Sequence, residues 1–154
     1  MDLTTVFDFT IPTLHPLAVH LPLVAIPAAA VAGIGYAALG GIRWLYAALG
    51  AALVGAAGAL FATRTGEALY DEMEGDPMLD LLGEAHEWSA EWALYTVAAA
   101  ALVLGFMAWR PRRELPVAPV GMRALAALLL LASAGLVLYA GHVGATMVWG
   151  IPTG

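Results

Sequence analysis

Four stretches of the chain are apolar almost without interruption, and polar residues collect between and beyond them. The stretches run about 14–39, 42–63, 90–109 and 122–149, and each as a helix is long enough to cross a hydrocarbon layer of roughly 30 Å. The first opens at His15-Pro16, where a proline lacking its N–H suits a first helical turn, and Pro22 and Pro27 predict kinks farther in. Gly40-Gly41 reads as a tight turn. The second stretch begins with the interface anchor Arg43-Trp44-Leu45-Tyr46 and carries Gly50, Gly55 and Gly58, small residues that let helices approach closely. Residues 64–85 form the longest and most acidic connection, which reads as solvent-facing. Asp76-Pro77 looks like an N-cap and first helical residue, so the third helix is expected to start outside the lipid and to run 77–109. Arg110-Pro111-Arg112-Arg113-Glu114-Leu115-Pro116 is a basic, proline-rich connection, and a short tail follows the fourth helix from Gly150. The expectation is an all-α, integral membrane, four-helix up-down bundle forming a single transmembrane domain over 1–154.

Composition sharpens this picture. With 62% hydrophobic and 12% charged residues and a mean hydropathy of +0.83, the bulk solvent is lipid. The absence of cysteine excludes thioether-attached haem, iron–sulfur clusters, thiolate metal sites and disulfides together, so a cofactor has to rely on histidine, carboxylate or methionine. The formal charge of −6 hides an asymmetry. All basic residues are arginine; Arg43, Arg110, Arg112, Arg113 and Arg123 flank the turns on one side, and only Arg64 sits on the other. That places the turns 40–42 and 110–121 in the cytoplasm and both termini outside. The start of the chain has no basic region or cleavage-like site, so the first stretch reads as an uncleaved span. The acidic outer side disfavours nucleic-acid binding, and no phosphate loop, HExxH pair or Ser-His-Asp pattern is present. No catalytic residue is assigned; electron transfer is expected ahead of catalysis, and catalysis at a cofactor edge stays open.

All four histidines fall at the outer end. At 1.5 Å per residue His20 lies about 28 Å from the inner end of its helix and His142 about 30 Å from the start of the fourth, so the two are level, while His15 and His86 lie about 36 Å out, one tier higher. Any one of them alone is as well explained as an interface anchor satisfied by water and backbone. Four together point to a cofactor or metal site, because ionisable groups in membrane bundles mark pathways and ligand sites and neutral imidazole is a common metal ligand. Two histidines at one depth on different helices can supply both axial ligands of a haem b. His20 and His142 are the first pair by depth; His15 and His86, expected on diagonal helices, would reach across the bundle mouth to hold a second haem or a metal ion. Gly141 and Gly144 beside His142 allow a flat macrocycle to approach the backbone, although ordinary helix packing explains a single glycine as well. Arg64 can neutralise haem propionates or pair with Glu67 or Asp71, and Glu87 and Glu91 can orient the His86 imidazole or form a solvated face. The five tryptophans fit an aromatic belt at the interfaces.

The opening His15-Pro16-Leu17-Ala18-Val19-His20-Leu21-Pro22 resembles the HPLxVHFP motif of the bacterial domain-of-unknown-function 2231 family. Thr65-Gly66, His86, and Gly141-His142-Val143-Gly144 followed by Val148-Trp149-Gly150-Ile151 resemble that family's TG, H and HLGG…VYxxG elements, over nearly the whole chain. A further histidine common in the final element is replaced here within Trp149-Gly150-Ile151. The resemblance implies a small four-helix protein of the bacterial inner (cytoplasmic) membrane, and the joining of some relatives to Rieske-type domains suggests redox work. The leading expectation is therefore an electron carrier with one or two haems b near the outer face, exchanging electrons with quinone or an extracytoplasmic redox protein. Two alternatives stay open: binding or transport of a Zn, Cu or Fe ion by the histidines, and an accessory subunit of a larger membrane complex.

Overall fold

A computed structural model describes residues 14–72, 77–110 and 118–150. The expected cap Asp76, the basic segment 111–117 and the tail from Ile151 lie outside them. The described residues are almost wholly helical, with no strand among them: α1 His15–Ala18, α2 His20–Leu39, α3 Ile42–Glu72, α4 Pro77–Trp109 and α5 Val120–Trp149. Helices neighbouring in sequence pack together, and α2 also packs on α5, which closes a four-helix ring. Four helical stretches, His15–Leu39, Ile42–Tyr70, Leu81–Trp109 and Val120–Trp149, are long and apolar enough to span a membrane. The protein is an all-α membrane bundle.

The ends of the helices differ from the sequence expectation in three places. The first span is interrupted at Val19, a few residues before Pro22, which has no N–H to return to the Ala18 carbonyl; α2 then runs unbroken through Pro27. The second helix continues past Thr63 to Glu72, and with α4 helical from Pro77 as expected, most of the acidic connection is helix projecting beyond the apolar zone. The fourth span starts at Val120 rather than Met122. The Gly40-Gly41 turn forms as expected: Gly40 takes the left-handed conformation at φ 67° and its N–H donates to Tyr36 O at 2.9 Å, a helix ending that glycine alone adopts without strain. Arg123 donates to the same carbonyl at 3.3 Å, placing a cation at the negative end of α2.

The core is built of small side chains. Ala29, Ala48, Ala52, Ala93, Ala100 and Ala126 are buried, with Ile26, Val97, Leu104 and Leu130 among the largest residues fully enclosed. The outward face carries the bulk: Val24, Leu102 and Leu128 are 64–76% exposed, as suits helices whose solvent is lipid. Lipid tails are as apolar as leucine, so such helices associate through close packing. A Cβ on Gly55 would lie 2.7 Å from the inner Cγ1 of buried Ile26, and one on Gly58 about 3.0–3.1 Å from Leu21 and Pro22. One polar tie crosses the core, from the Ser133 hydroxyl to Ala93 O at 2.8 Å.

These seams give a packing test with an internal control. Gly55→Val should lower the thermal midpoint in detergent by an amount corresponding to about 1–3 kcal/mol of overpacking. Gly50→Ala, where an added Cβ meets nothing within 4 Å, should leave the midpoint unchanged or raise it; equal losses in both would refute the seam.

Candidate functional site

At the end of the bundle opposite the Gly40 turn, α1 and α4 each turn one histidine inward. His15 and His86 are half-buried, and their rings meet with centroids 6.3 Å apart and planes at 81°. The two helices sit diagonally across the ring, so the pair bridges the bundle mouth. The helical phase explains why these two face in: His15 shares its stripe with the buried Ala18, Pro22, Ala25 and Ala29, and His86 with Ser89, Ala93, Val97 and Ala100.

Each ring is held by the same device. Nδ1 of His15 donates to Ala62 O on α3 at 3.0 Å, and its ring packs where a Cβ on Gly66 would come within 3.0 Å of Cε1. Nδ1 of His86 donates to Ala140 O on α5 at 2.9 Å, and its ring packs where a Cβ on Gly144 would come within 3.0 Å of Cε1. In both cases a glycine lies four residues beyond the accepting carbonyl. A helical carbonyl already accepts from the N–H four residues on, but its second lone pair is open to another donor, and a glycine at that position removes the side chain that would cover it. His15 gains a further partner in the Thr65 hydroxyl at 3.2 Å; that hydroxyl donates to Phe61 O and Ala62 O, so it can only accept from the imidazole. Carbonyl oxygens cannot donate, so the proton of each neutral ring sits on Nδ1, and Nε2 is the nitrogen left as an acceptor. A ring anchored by Nδ1–H on a backbone carbonyl is the usual posture of a histidine that ligates through Nε2.

His20 and His142, level by depth, are both exposed and share no ring contact or hydrogen bond. Nδ1 of His20 donates to Pro16 O at 2.6 Å, within its own helical turn. Leu23 of α2 packs on Gly141 of α5; His20 and His142 lie beside that contact, turned out of the bundle. Arg64 is exposed and reaches Glu67 at 3.5 Å, with both side chains more than 60% exposed, a contact worth about 0–1 kcal/mol and easily given up. Glu87 and Glu91 are exposed, and the partner that orients His86 is the Ala140 carbonyl instead. Among the described residues no group of three or more His, Cys, Asp and Glu is placed to hold a metal ion. Sequence reasoning missed the Ala62 and Ala140 carbonyls, and it read Gly144 for another purpose.

The chain belongs to the DUF2231 family. It matches the family described as Predicted membrane protein (DUF2231) over residues 11–154, which takes in α1 to α5. No curated protein and no solved structure matches it. Membership of DUF2231 thus carries the membrane bundle and leaves the chemistry to the residues at its mouth.

The tautomers can be read directly. In ¹⁵N-histidine-labelled protein at neutral pH, the imidazoles of His15 and His86, identified by their loss in His15→Gln and His86→Gln, should show protonated Nδ1 and unprotonated Nε2. Finding either ring in the Nε2–H form would remove the anchoring described above.

Proposed function

We propose that this protein is a membrane electron carrier in which His15 and His86 present their Nε2 atoms to the iron of a haem b. The observation that carries the reading is the pairing of two carbonyl-anchored imidazoles with no third ligand among the described residues. A free ion such as zinc takes three or four protein ligands, whereas haem iron has its equatorial positions filled by the porphyrin and asks the protein only for axial ones. The spacing supports this. The ring centres stand 6.3 Å apart, close enough that one metal centre between them would be within reach of both imidazoles, given metal–nitrogen bonds of about 2.0–2.1 Å. The same value lies within the range of an ordinary edge-to-face ring pair, so the test has to be spectroscopic.

When bound, the haem supplies one-electron chemistry. The chain's residues do the rest. His15 and His86 hold the iron from two halves of the bundle, Gly66 and Gly144 seat their rings, and the Ala62 and Ala140 carbonyls fix the ligating tautomer. Arg64 is free to exchange Glu67 for a propionate, a bidentate partner it matches. The gathering of arginines at the other end supports an orientation with this end outside the cytoplasm, and in the inner membrane of a bacterium a soluble redox partner or a larger complex would have access to it there. Because an ion such as copper can be held by two imidazoles and water, binding of a metal ion is the second reading.

Two experiments test the proposal. Protein purified in mild detergent should show a Soret band and a low-spin reduced-minus-oxidised spectrum; His15→Ala and His86→Ala should each abolish it, Gly144→Val should weaken haem binding by about 10–100-fold, and His20→Ala and His142→Ala should retain it. The opposite pattern would make His20 and His142 the ligands, and stoichiometric copper or zinc without a Soret band would select the ion. For orientation, cysteine placed at exposed Glu67 should react with an impermeant thiol reagent applied to intact cells; labelling only after lysis would invert the topology.

A further inference from the structure

A groove of about 440 Å³ opens sideways on the outside of the bundle, lined by Leu81, Glu84, Ala85, Trp88 and Tyr139. Its volume falls in the range of about 300–1,000 Å³ usual for small-molecule sites. Leu81, Trp88 and Tyr139 are 72%, 54% and 50% exposed, so an occupant arrives from the membrane or its interface. Two of the wall residues are the chain neighbours of the histidine anchor. Ala85 precedes His86, and Tyr139 precedes Ala140, whose carbonyl accepts from His86 Nδ1. The groove and the His86 anchor thus share the same stretches of α4 and α5, on different faces of the helices.

We infer that this groove docks the ring of a membrane quinone or its quinol. The walls match that chemistry. Trp88 and Tyr139 offer aromatic surface to a flat ring, the Tyr139 hydroxyl can donate to a quinone carbonyl, and the Glu84 carboxylate can accept from a quinol hydroxyl. The same carboxylate repels the phosphate of a phospholipid headgroup, which makes a neutral ring with paired oxygens the better occupant. The groove deepens the electron-carrier reading by naming its lipid-soluble partner, and it rests on that reading for its purpose, though binding can be detected without it.

The test is a titration of the purified full chain, in phosphatidylcholine nanodiscs, with a one-isoprene benzoquinone, following quenching of tryptophan fluorescence. Saturable quenching is expected, smaller in amplitude in Trp88→Phe, with its midpoint raised about tenfold or more in Tyr139→Ala. Both side chains are exposed, so these variants leave the core packing alone. Quenching that rises linearly with added quinone and is the same in Tyr139→Ala is partition into lipid and overturns the inference, as does displacement by phosphatidylethanolamine, which would make the groove a site for a lipid amine held by Glu84. A Soret band without saturable quenching sinks the groove and leaves the haem reading intact. Saturable quenching in protein without a Soret band upholds the groove and removes the haem.

Discussion

Helices dissolved in lipid gain nothing from hiding apolar surface, since the tails outside are as apolar as the neighbours inside. What holds this bundle is the closeness with which backbones approach where alanine and glycine line the seams. Gly55 admits the inner arm of Ile26, Gly58 admits Leu21 and Pro22, and Gly141 admits Leu23. The imidazole seats use the same rule for a different guest. At Gly66 and Gly144 the space left by the missing side chain is filled by a ring from the next helix, which then reaches the carbonyl one turn earlier. Packing and the pose of the two imidazoles thus depend on a single feature, small residues at chosen phases.

That phase was legible in the sequence, though depth alone did not reveal it. Counting residues along each helix placed the histidines in two tiers and made His20 and His142 the natural pair. Counting around the helix separates them differently. His20 shares a stripe with Leu17, Val24 and Val31, all exposed, while His15 shares one with Ala18, Ala25 and Ala29. In a soluble helix the bulky stripe would face the core; in lipid it faces out, and the stripe of small residues marks the interior. The four spans, the Gly40-Gly41 turn and the gathering of histidines at one end were readable because they rest on hydropathy and spacing. The carbonyl partners were not, since every residue carries a carbonyl and only a neighbouring helix decides which one is reached.

The acidic connection shows a second limit of reading polarity as loop. Hydropathy falls after Thr63, but Glu67, Ala68, Leu69 and Glu72 are strong helix formers, so α3 leaves the apolar zone without ending, as α4 does on the other side where Asp76-Pro77 had announced it. Without the continuation of α3, Thr65 and Gly66 would stand in irregular backbone and His15 would lack its seat. Without the early start of α4, His86 would lie at a frayed end instead of inside a helix that fixes its phase. The length of these extensions converts a set of interface histidines into a positioned pair.

The two anchors also limit what the rings can do for each other. With both Nδ1 protons committed to carbonyls, each neutral ring offers only a lone pair at Nε2, and neither ring can donate to the other. Protonating one ring would supply a donor, at the expense of a charge in the half-buried mouth of an apolar bundle. The iron of the proposed haem would accept both lone pairs at once and add no such conflict. It would also join two halves of the molecule, since His15 is anchored on α3 and His86 on α5, and a ligand that binds only the assembled mouth stabilises the assembled state by mass action. Two glycine seats, two carbonyls and a threonine hydroxyl fix the pose of this imidazole pair from both halves of the molecule.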